Sequence, residues 1–472
     1  MTTLTPALHP LVADLLKQRD LLLAATRLTV GPTHLLVPEV MSSYVATLRA
    51  IFAEAGMTAQ IAYAHKANKA GAFVRQALSL GLGLDVASRA ELVSGLANGF
   101  TGAQISCTGP KSRAFLWLAL RHGCLISLDS LTELDLIAAL LAELPGIGAR
   151  VVVRINDPQV RDRQLRRRVS RFGLLRAELP DLLARLRTLP QITLCGVHLH
   201  HYEHRPDVRA GYLDDLLSLM EDCYRAGFAP DIIDLGGGLR GPELADPAAW
   251  DRYVADLEAR VATGVPTATW ADAAYGLSLG ARGRIEGRER LAERYKTADF
   301  VDYLTIPLRD ADLRGRPLAE VIAEHGFTLM IEPGFALVQG AGISLVRVNG
   351  TRSLPDGAVG ILLDANSLNL SRGMFEPILD PFLIPKDDAA GEPGAAYLLG
   401  NLCREDDLLM QRQVHFAQLP KAGDVLCFTN TAAYVSDFED ATPIQHPSGT
   451  QLVAERHDGG WQLIHPDRYL LD

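Results

Sequence analysis

Apolar, β-branched-rich runs recur along the chain, with amphipathic stretches between them. Read as strands, they cover residues 60–64, 84–87, 105–108, 125–128, 151–155, 193–199, 232–235 and 328–331. Apolar residues at helical spacing follow most of them, over 70–80, 89–98, 111–121, 131–141, 182–189 and 212–226. Strands that alternate with helices need crossover connections and therefore a parallel sheet. Eight such strands fit a closed (β/α)8 TIM barrel, although periodicity alone describes an open doubly wound sheet equally well.

The texture changes after Glu332. Short β-like runs at 342–348, 360–363 and 423–428 are separated by Gly, Pro, Asn and Asp, the pattern of a second, mainly antiparallel β-domain, a sandwich or barrel. Residues 391–396 read as a surface loop. About 90 residues separate Gly238 from Glu332, too many for one βα unit, so a helical insertion over about 259–300 is expected at the barrel mouth.

Composition then narrows the class. A length of 472 residues suggests two domains, and a hydrophobic share of 48% gives both of them cores. The net charge of −10 argues against a nucleic-acid partner, and the basic run 161–171 reads as a solvated loop. No run is apolar enough to span a bilayer, so no membrane partner is expected. Met1-Thr2-Thr3 opens no secretory signal, and six singly scattered cysteines suit reduced thiols. A cytoplasmic protein is the expectation.

Barrels collect reactive groups just beyond the C-terminal ends of their strands. Polar residues fall there repeatedly: Lys66 after the first strand, Asp85, Ser88 and Glu91 around the second, and Arg154 closing the fifth. His198 and His200 end the sixth, Gly236-Gly237-Gly238 the seventh, and Glu332-Pro333-Gly334 the eighth. A lysine at an apolar strand end is expected to be buried, with its pKa lowered toward imine chemistry, whereas an isolated one would snorkel to solvent. The glycine triplet fits an anion-binding loop or a tight turn equally well.

These residues lie in motifs that resemble a known family. Tyr63-Ala64-His65-Lys66-Ala67-Asn68 is similar to the cofactor-lysine motif of the fold-type III pyridoxal-phosphate (PLP) decarboxylases, which act on ornithine, arginine or diaminopimelate and share an alanine-racemase-type barrel. Residues 84–92, 196–200, 234–238, 331–334, 400–403 and 433–434 resemble its further motifs in the same order. The resemblance implies that Lys66 carries PLP as an internal aldimine and that His200 stacks on the ring. It also implies that Glu332 pairs with the pyridine nitrogen and that Gly236–Gly238 cup the phosphate, with Tyr434 nearby. Asp85, Arg154 and Gly334 complete the cofactor set. Cys403 is implied as the acid that protonates the substrate carbon, reaching the site from a partner subunit, so a homodimer is expected. A carboxylate at Glu332 and a cysteine at 403 favour decarboxylation over racemisation. The family architecture adds a strand within 25–38 to the β-domain, giving a barrel over 40–332 and a β-domain from 1–39 and 333–472.

Several positions depart from the family. Relatives carry arginine where Phe335 stands, and serine where Glu203 stands, both at the phosphate; His201, His204 and Arg240 are possible substitutes. Relatives acting on diamino acids carry an acid after the cysteine, where this chain has Arg404, so a substrate with an acidic or carboxylated distal group is expected. A citrate-conjugated amino acid is one such substrate. Asp364 resembles the family's second acidic substrate contact, and Arg404 has an alternative partner in Glu405 or Asp406. Two other classes are open: a non-catalytic or racemase-like relative that binds partners, and a metallohydrolase built on His198, His200, His201 and His204.

Overall fold

The computed structural model describes residues 2–159, 170–201, 205–292, 295, 299–311, 315–370, 376–436 and 442–471. Two compact units emerge: Met41–Gly241 with Ala298–Leu337, and Met1–Val40 with Pro242–Thr297 and Val338–Asp472.

The first unit is a closed parallel barrel. Its strands, in chain and spatial order, are Thr58–Ala64, Gly83–Val86, Ile105–Cys107, Leu125–Leu128, Ala149–Arg154, Ile192–His198, Ile232–Asp234 and Thr328–Ile331. The last strand closes the ring by pairing with both the seventh and the first. Each lies within about two residues of its expected position, because strands buried on both faces read as near-continuous apolar runs. Ala62, Leu125, Val152, Ile232 and Met330 pack together as one interior cluster, so the barrel is filled rather than hollow.

Two of the residues expected around the mouth have a different role. Ser88 Oγ accepts the Glu91 N–H at 3.1 Å, and the Glu91 carboxylate accepts the Ala87 N–H at 2.6 Å. Ser88 is thus the N-cap of helix Arg89–Ala97, and Glu91 reaches back to the residue before it. Ser130 and Glu133 repeat it at helix Leu131–Glu143. These caps fix where each helix starts, and so the length of the loop leaving the preceding strand.

The second unit holds a mixed sheet in the order Leu408–Phe416, Gly394–Leu399, Val359–Leu363, Gly342–Ser353, Thr33–Leu36, Thr450–His457, Gly460–Ile464. Phe382–Ile384 and Val425–Thr429 pair off that path. Most pairings are antiparallel, as expected, but Thr33–Leu36 runs parallel to Thr450–His457, and Val359–Leu363 parallel to Gly394–Leu399. Residues 394–396, read from the sequence as loop, open a strand whose Ala396 and Leu398 are wholly buried. The Gly and Pro before them masked that alternation.

The excursion also differs from expectation. Pro242–Thr297 groups with the second unit, not with the barrel, and it is only partly helical. Helix Ala249–Thr263 is followed by the short hairpin Ser278–Leu279/Ile285–Glu286 and helix Arg288–Ala292. Trp250, Tyr253 and Tyr275 pack with Leu4, Ile378 and Leu379 in a core of their own. The Gln413 N–H donates to the Ala268 carbonyl at 3.0 Å, tying the excursion to strand Leu408–Phe416. Among the described residues no helix is long and apolar enough to cross a membrane. Most of the basic run 161–171 lies outside the described residues.

Candidate active site

At the end of the first barrel strand a single 3-10 turn, His65–Ala67, presents Lys66. Below it Tyr63 is buried, and its hydroxyl donates to the Asn68 carbonyl at 3.0 Å, fixing the turn. The lysine ammonium lies 3.7 Å from Asp85 Oδ2. The expected burial of the lysine is not met: its side chain is 37% exposed, whereas that of Asp85 is wholly buried. Asp85 is what orients the amine, and it is itself held from the neighbouring strand Ile105–Cys107 and the residue that follows it. Its Oδ1 accepts from Thr108 Oγ1 at 2.7 Å and from Ser106 Oγ at 3.4 Å.

On the neighbouring last strand, Glu332, only 3% exposed, follows Ile331. Its Oε1 has no hydrogen-bond partner, and its Oε2 lies 3.8 Å from His198 Nε2. Asp234 joins this cluster, its carboxylate within 4.8 Å of the His198 and Glu332 ligand-type atoms, and it accepts the Gly236 N–H at 2.9 Å. Burial raises Asp234 to about 7, with the Asp85 charge adding to the rise, and burial together with the Asp234 charge holds Glu332 well above the usual carboxylate range. Burial, with Arg154 nearby, keeps His198 well below its usual value and so neutral; Ser127 Oγ bonds its Nδ1 at 2.6 Å. Arg154 donates to the His200 carbonyl at 3.3 Å, stacks on Phe172 at 4.8 Å and lies 4.0 Å from Asp129.

The raised Asp234 makes a pH prediction for the cofactor-free protein. The folded state holds this proton more tightly than the unfolded chain does. The resulting stability is fully present below pH 3.8 and is lost as pH rises through about 7. Asp234→Asn is therefore expected to gain Tm relative to the parent as pH rises across that window, measured by thermal unfolding. A difference that is flat with pH rejects it.

His200 Nδ1 accepts the Gly237 N–H at 2.9 Å, and burial, with Lys66 nearby, holds this imidazole well below its ordinary pKa. Gly236 and Gly238 adopt φ of +65° and +82°. A Cβ on Gly237 would sit 2.4 Å from the Glu332 carbonyl oxygen, so the triplet is required by backbone approach. Two of its three N–H groups are already committed, Gly236 to Asp234 and Gly237 to His200. Behind the loop the buried Arg209 donates to the Gly237 carbonyl at 3.0 Å. Gly334 belongs to the turn after Glu332, where its carbonyl accepts the Leu337 N–H at 3.1 Å. The Arg240 guanidinium covers the Phe335 ring at 4.5 Å.

The four histidines read as a possible metal set have separate partners. His198 sits with Asp234 and Glu332, whose ligand-type atoms with its own lie within 4.8 Å of one another. His200 is bound to Gly237, and His201 Nε2 bonds the Asn156 carbonyl at 2.8 Å. His204 and Glu203 lie outside the described residues.

The remaining expected residues belong to the second unit. Cys403 is exposed in the loop between strands Gly394–Leu399 and Leu408–Phe416. Asp407, 5% exposed, shapes that loop by accepting the Ser367 and Leu402 N–H groups, both at 2.8 Å. Arg404 is 54% exposed and forms a bidentate pair with Asp406 at 2.9 and 2.7 Å. Asp364 is ion-paired with Arg347, which also donates to the Thr29 carbonyl at 3.1 Å. Tyr434 has φ of +61°, a left-handed conformation that a bulky residue adopts at a cost of about 1–3 kcal/mol, typical of functional turns.

Residues 43–271 match the pyridoxal-binding domain of the pyridoxal-dependent decarboxylases. A diaminopimelate decarboxylase of Halalkalibacterium halodurans is 32% identical over 412 residues, 81% of this chain and 77% of that protein. The chain belongs to this family. An uncharacterised protein of Sinorhizobium fredii, y4yA, is 32% identical over 473 residues, 98% of this chain and 96% of its own. Among solved structures, a diaminopimelate decarboxylase of M. jannaschi has a TM-score of 0.68 at 20% identity, covering 92% of this chain and 88% of that one.

The decarboxylase is thus a carboxy-lyase whose cofactor is pyridoxal 5'-phosphate. The barrel mouth fits that group. Glu332 Oε1 is a buried acceptor suited to a ring N–H, the glycine loop leaves no Cβ in the way, and Lys66 supplies an amine. Sequence reading missed Ser127, Thr108, Arg209 and Asp407. Each acts through a contact with a residue distant in sequence, so no local spacing marks it.

Proposed function

We propose that this enzyme decarboxylates an amino acid, or an amino-acid conjugate, whose distal end is acidic rather than cationic. The observation that carries the substrate reading is that both positions related to distal-ammonium contacts have lost their negative character. Asp364 is neutralised by Arg347, and position 404 is itself a guanidinium. A distal ammonium would therefore meet no uncompensated acid there, whereas a carboxylate can displace Asp406 from Arg404. The exposure of that pair makes the displacement inexpensive.

When bound, the cofactor supplies an electron sink for the charge left by CO2 loss. Lys66 would hold it through its amine, whose direction Asp85 fixes. Glu332, whose Oε1 is a buried acceptor, would pair as an anion with the ring N–H and so favour its protonated form. Neutral His200, pinned by Gly237, would pack against the ring. His198, neutral and tied to Ser127, adds no competing charge beside Glu332. Tyr434 contributes at the phosphate. In a homodimer the partner subunit's Cys403 returns the proton to the substrate carbon, its loop held by Asp407. Decarboxylation leaves an amine and CO2, and no metal or redox partner enters the balance.

The test is a substrate panel with purified holoenzyme, read as CO2 release. kcat/KM for ornithine, lysine and arginine is expected to fall about 10–100-fold below that for analogues with a distal carboxylate, the worth of one charged hydrogen-bonded contact. Arg404→Glu should narrow or invert that gap. Efficient turnover of ornithine alongside inertness toward acidic analogues rejects the substrate reading.

A further inference from the structure

A barrel of this kind places its reactive groups beyond the C-terminal ends of its strands. At the opposite, N-terminal end of this one lies a cavity of about 460 Å³, a size that holds small molecules. Helix Met41–Glu54 gives Arg49 and Phe52 to its wall, and Leu82 adds apolar surface. Its floor is formed by Ala62, Leu125 and Met330, three members of the cluster that fills the barrel interior.

Strand alternation carries a charge to this end. Arg150, Val152 and Arg154 share one face of strand Ala149–Arg154. Val152 belongs to the interior cluster, and Arg154 stands at the cofactor end beside the His200 carbonyl. Arg150 is therefore held at the other end of the same row, where it lines the cavity.

The charge of the lining has one sign. Arg49 and Arg150 both contribute to it, and among the described residues no Asp or Glu does. Arg49 donates to the Leu80 carbonyl, a neutral partner. Arg150 lies beside the thiols of Cys124 and Cys195 rather than beside a carboxylate. Among the described residues neither guanidinium has an ion pair. Two like charges on one apolar-walled cavity raise each other's energy until an anion joins them. Guanidiniums over an apolar floor select an amphipathic anion, a carboxylate or phosphate head on a short hydrocarbon body.

We propose that the N-terminal end of the barrel is a second binding site, for a small anion of this amphipathic kind. Arg49 and Arg150 supply the counter-charge, and Phe52, Leu82 and the interior cluster take the hydrocarbon. The site shares no charged residue with the cofactor mouth, so each is tested with the other intact.

Holoenzyme is titrated by calorimetry with octanoate and, separately, with octyl phosphate. Saturable binding of one equivalent is expected for at least one of them, and the tighter ligand identifies the head group. Octan-1-ol, which lacks the charge, and acetate, which lacks the chain, should each bind at least about tenfold more weakly. Arg150→Met and Arg49→Met should each weaken the tighter ligand about 10–100-fold, and Arg150→Lys should recover part of the loss. Thermal unfolding of each variant without ligand checks that the fold is kept. Absence of saturable binding for both ligands overturns the proposal, as does unchanged affinity in both arginine variants. Loss of binding in Arg404→Met alone would place the ligand at the substrate end and overturn it too.

Discussion

Lys66→Ala is expected to reduce decarboxylation by about a thousandfold or more, equivalent to at least about 4 kcal/mol of lost transition-state stabilisation. Borohydride reduction of the cofactor-saturated parent should leave a pyridoxyl label on the peptide containing residue 66, and the variant should carry none there. The fold should survive. Lys66 is partly exposed, and Asp85 keeps its hydrogen bonds from Thr108 and Ser106 when the ammonium is gone. Circular dichroism and thermal unfolding separate chemical loss from collapse. A label on a different lysine, or a variant of undiminished rate, would sink the assignment of Lys66.

Glu332→Gln should have the next largest effect, by a different route. An amide has nearly the carboxylate's shape but cannot hold a ring nitrogen protonated. We expect kcat to fall about 100–1000-fold, the range seen when one group that stabilises developing charge is lost. Labelling at Lys66 should persist, because the amine is untouched. In the cofactor-free protein the substitution also removes a buried acid whose ionisation is opposed by burial and by Asp234. Its thermal stability at pH 8 should therefore hold or rise. A variant with wild-type kcat would show that Glu332 does not govern the ring.

How much of this was legible in the sequence depends on the range of the signal. The eight barrel strands were readable because both of their faces are buried, so each run of Val, Ile and Leu is its own marker. The motifs around Lys66, His200, Gly236–Gly238 and Glu332 mark the ends of strands that the structure does bring to one mouth. The excursion was not readable in the same way. Apolar periodicity in helix Ala249–Thr263 says that one face is covered, and it cannot say that Leu4 and Leu379 cover it. Ser88 and Glu91 misled for a related reason, since a helix cap just past a strand places the same residue types where catalytic groups belong. The neutralising pair Arg347–Asp364 spans 17 residues and two strands, so only the pairing register reveals it.

The parallel pairing of Thr33–Leu36 with residues 450–453 bears on how the protein is made. Thr33 and its partner Thr450 are 417 positions apart, the difference of their residue numbers. At ribosomal speeds of about 5–20 residues per second, this strand waits roughly 20–80 s for its neighbour to be synthesised. Throughout that interval its apolar edge is available to any other β-segment, nascent or foreign. The barrel, complete once residue 331 has emerged, can close earlier. The sheet of the second unit is therefore the later of the two to be completed.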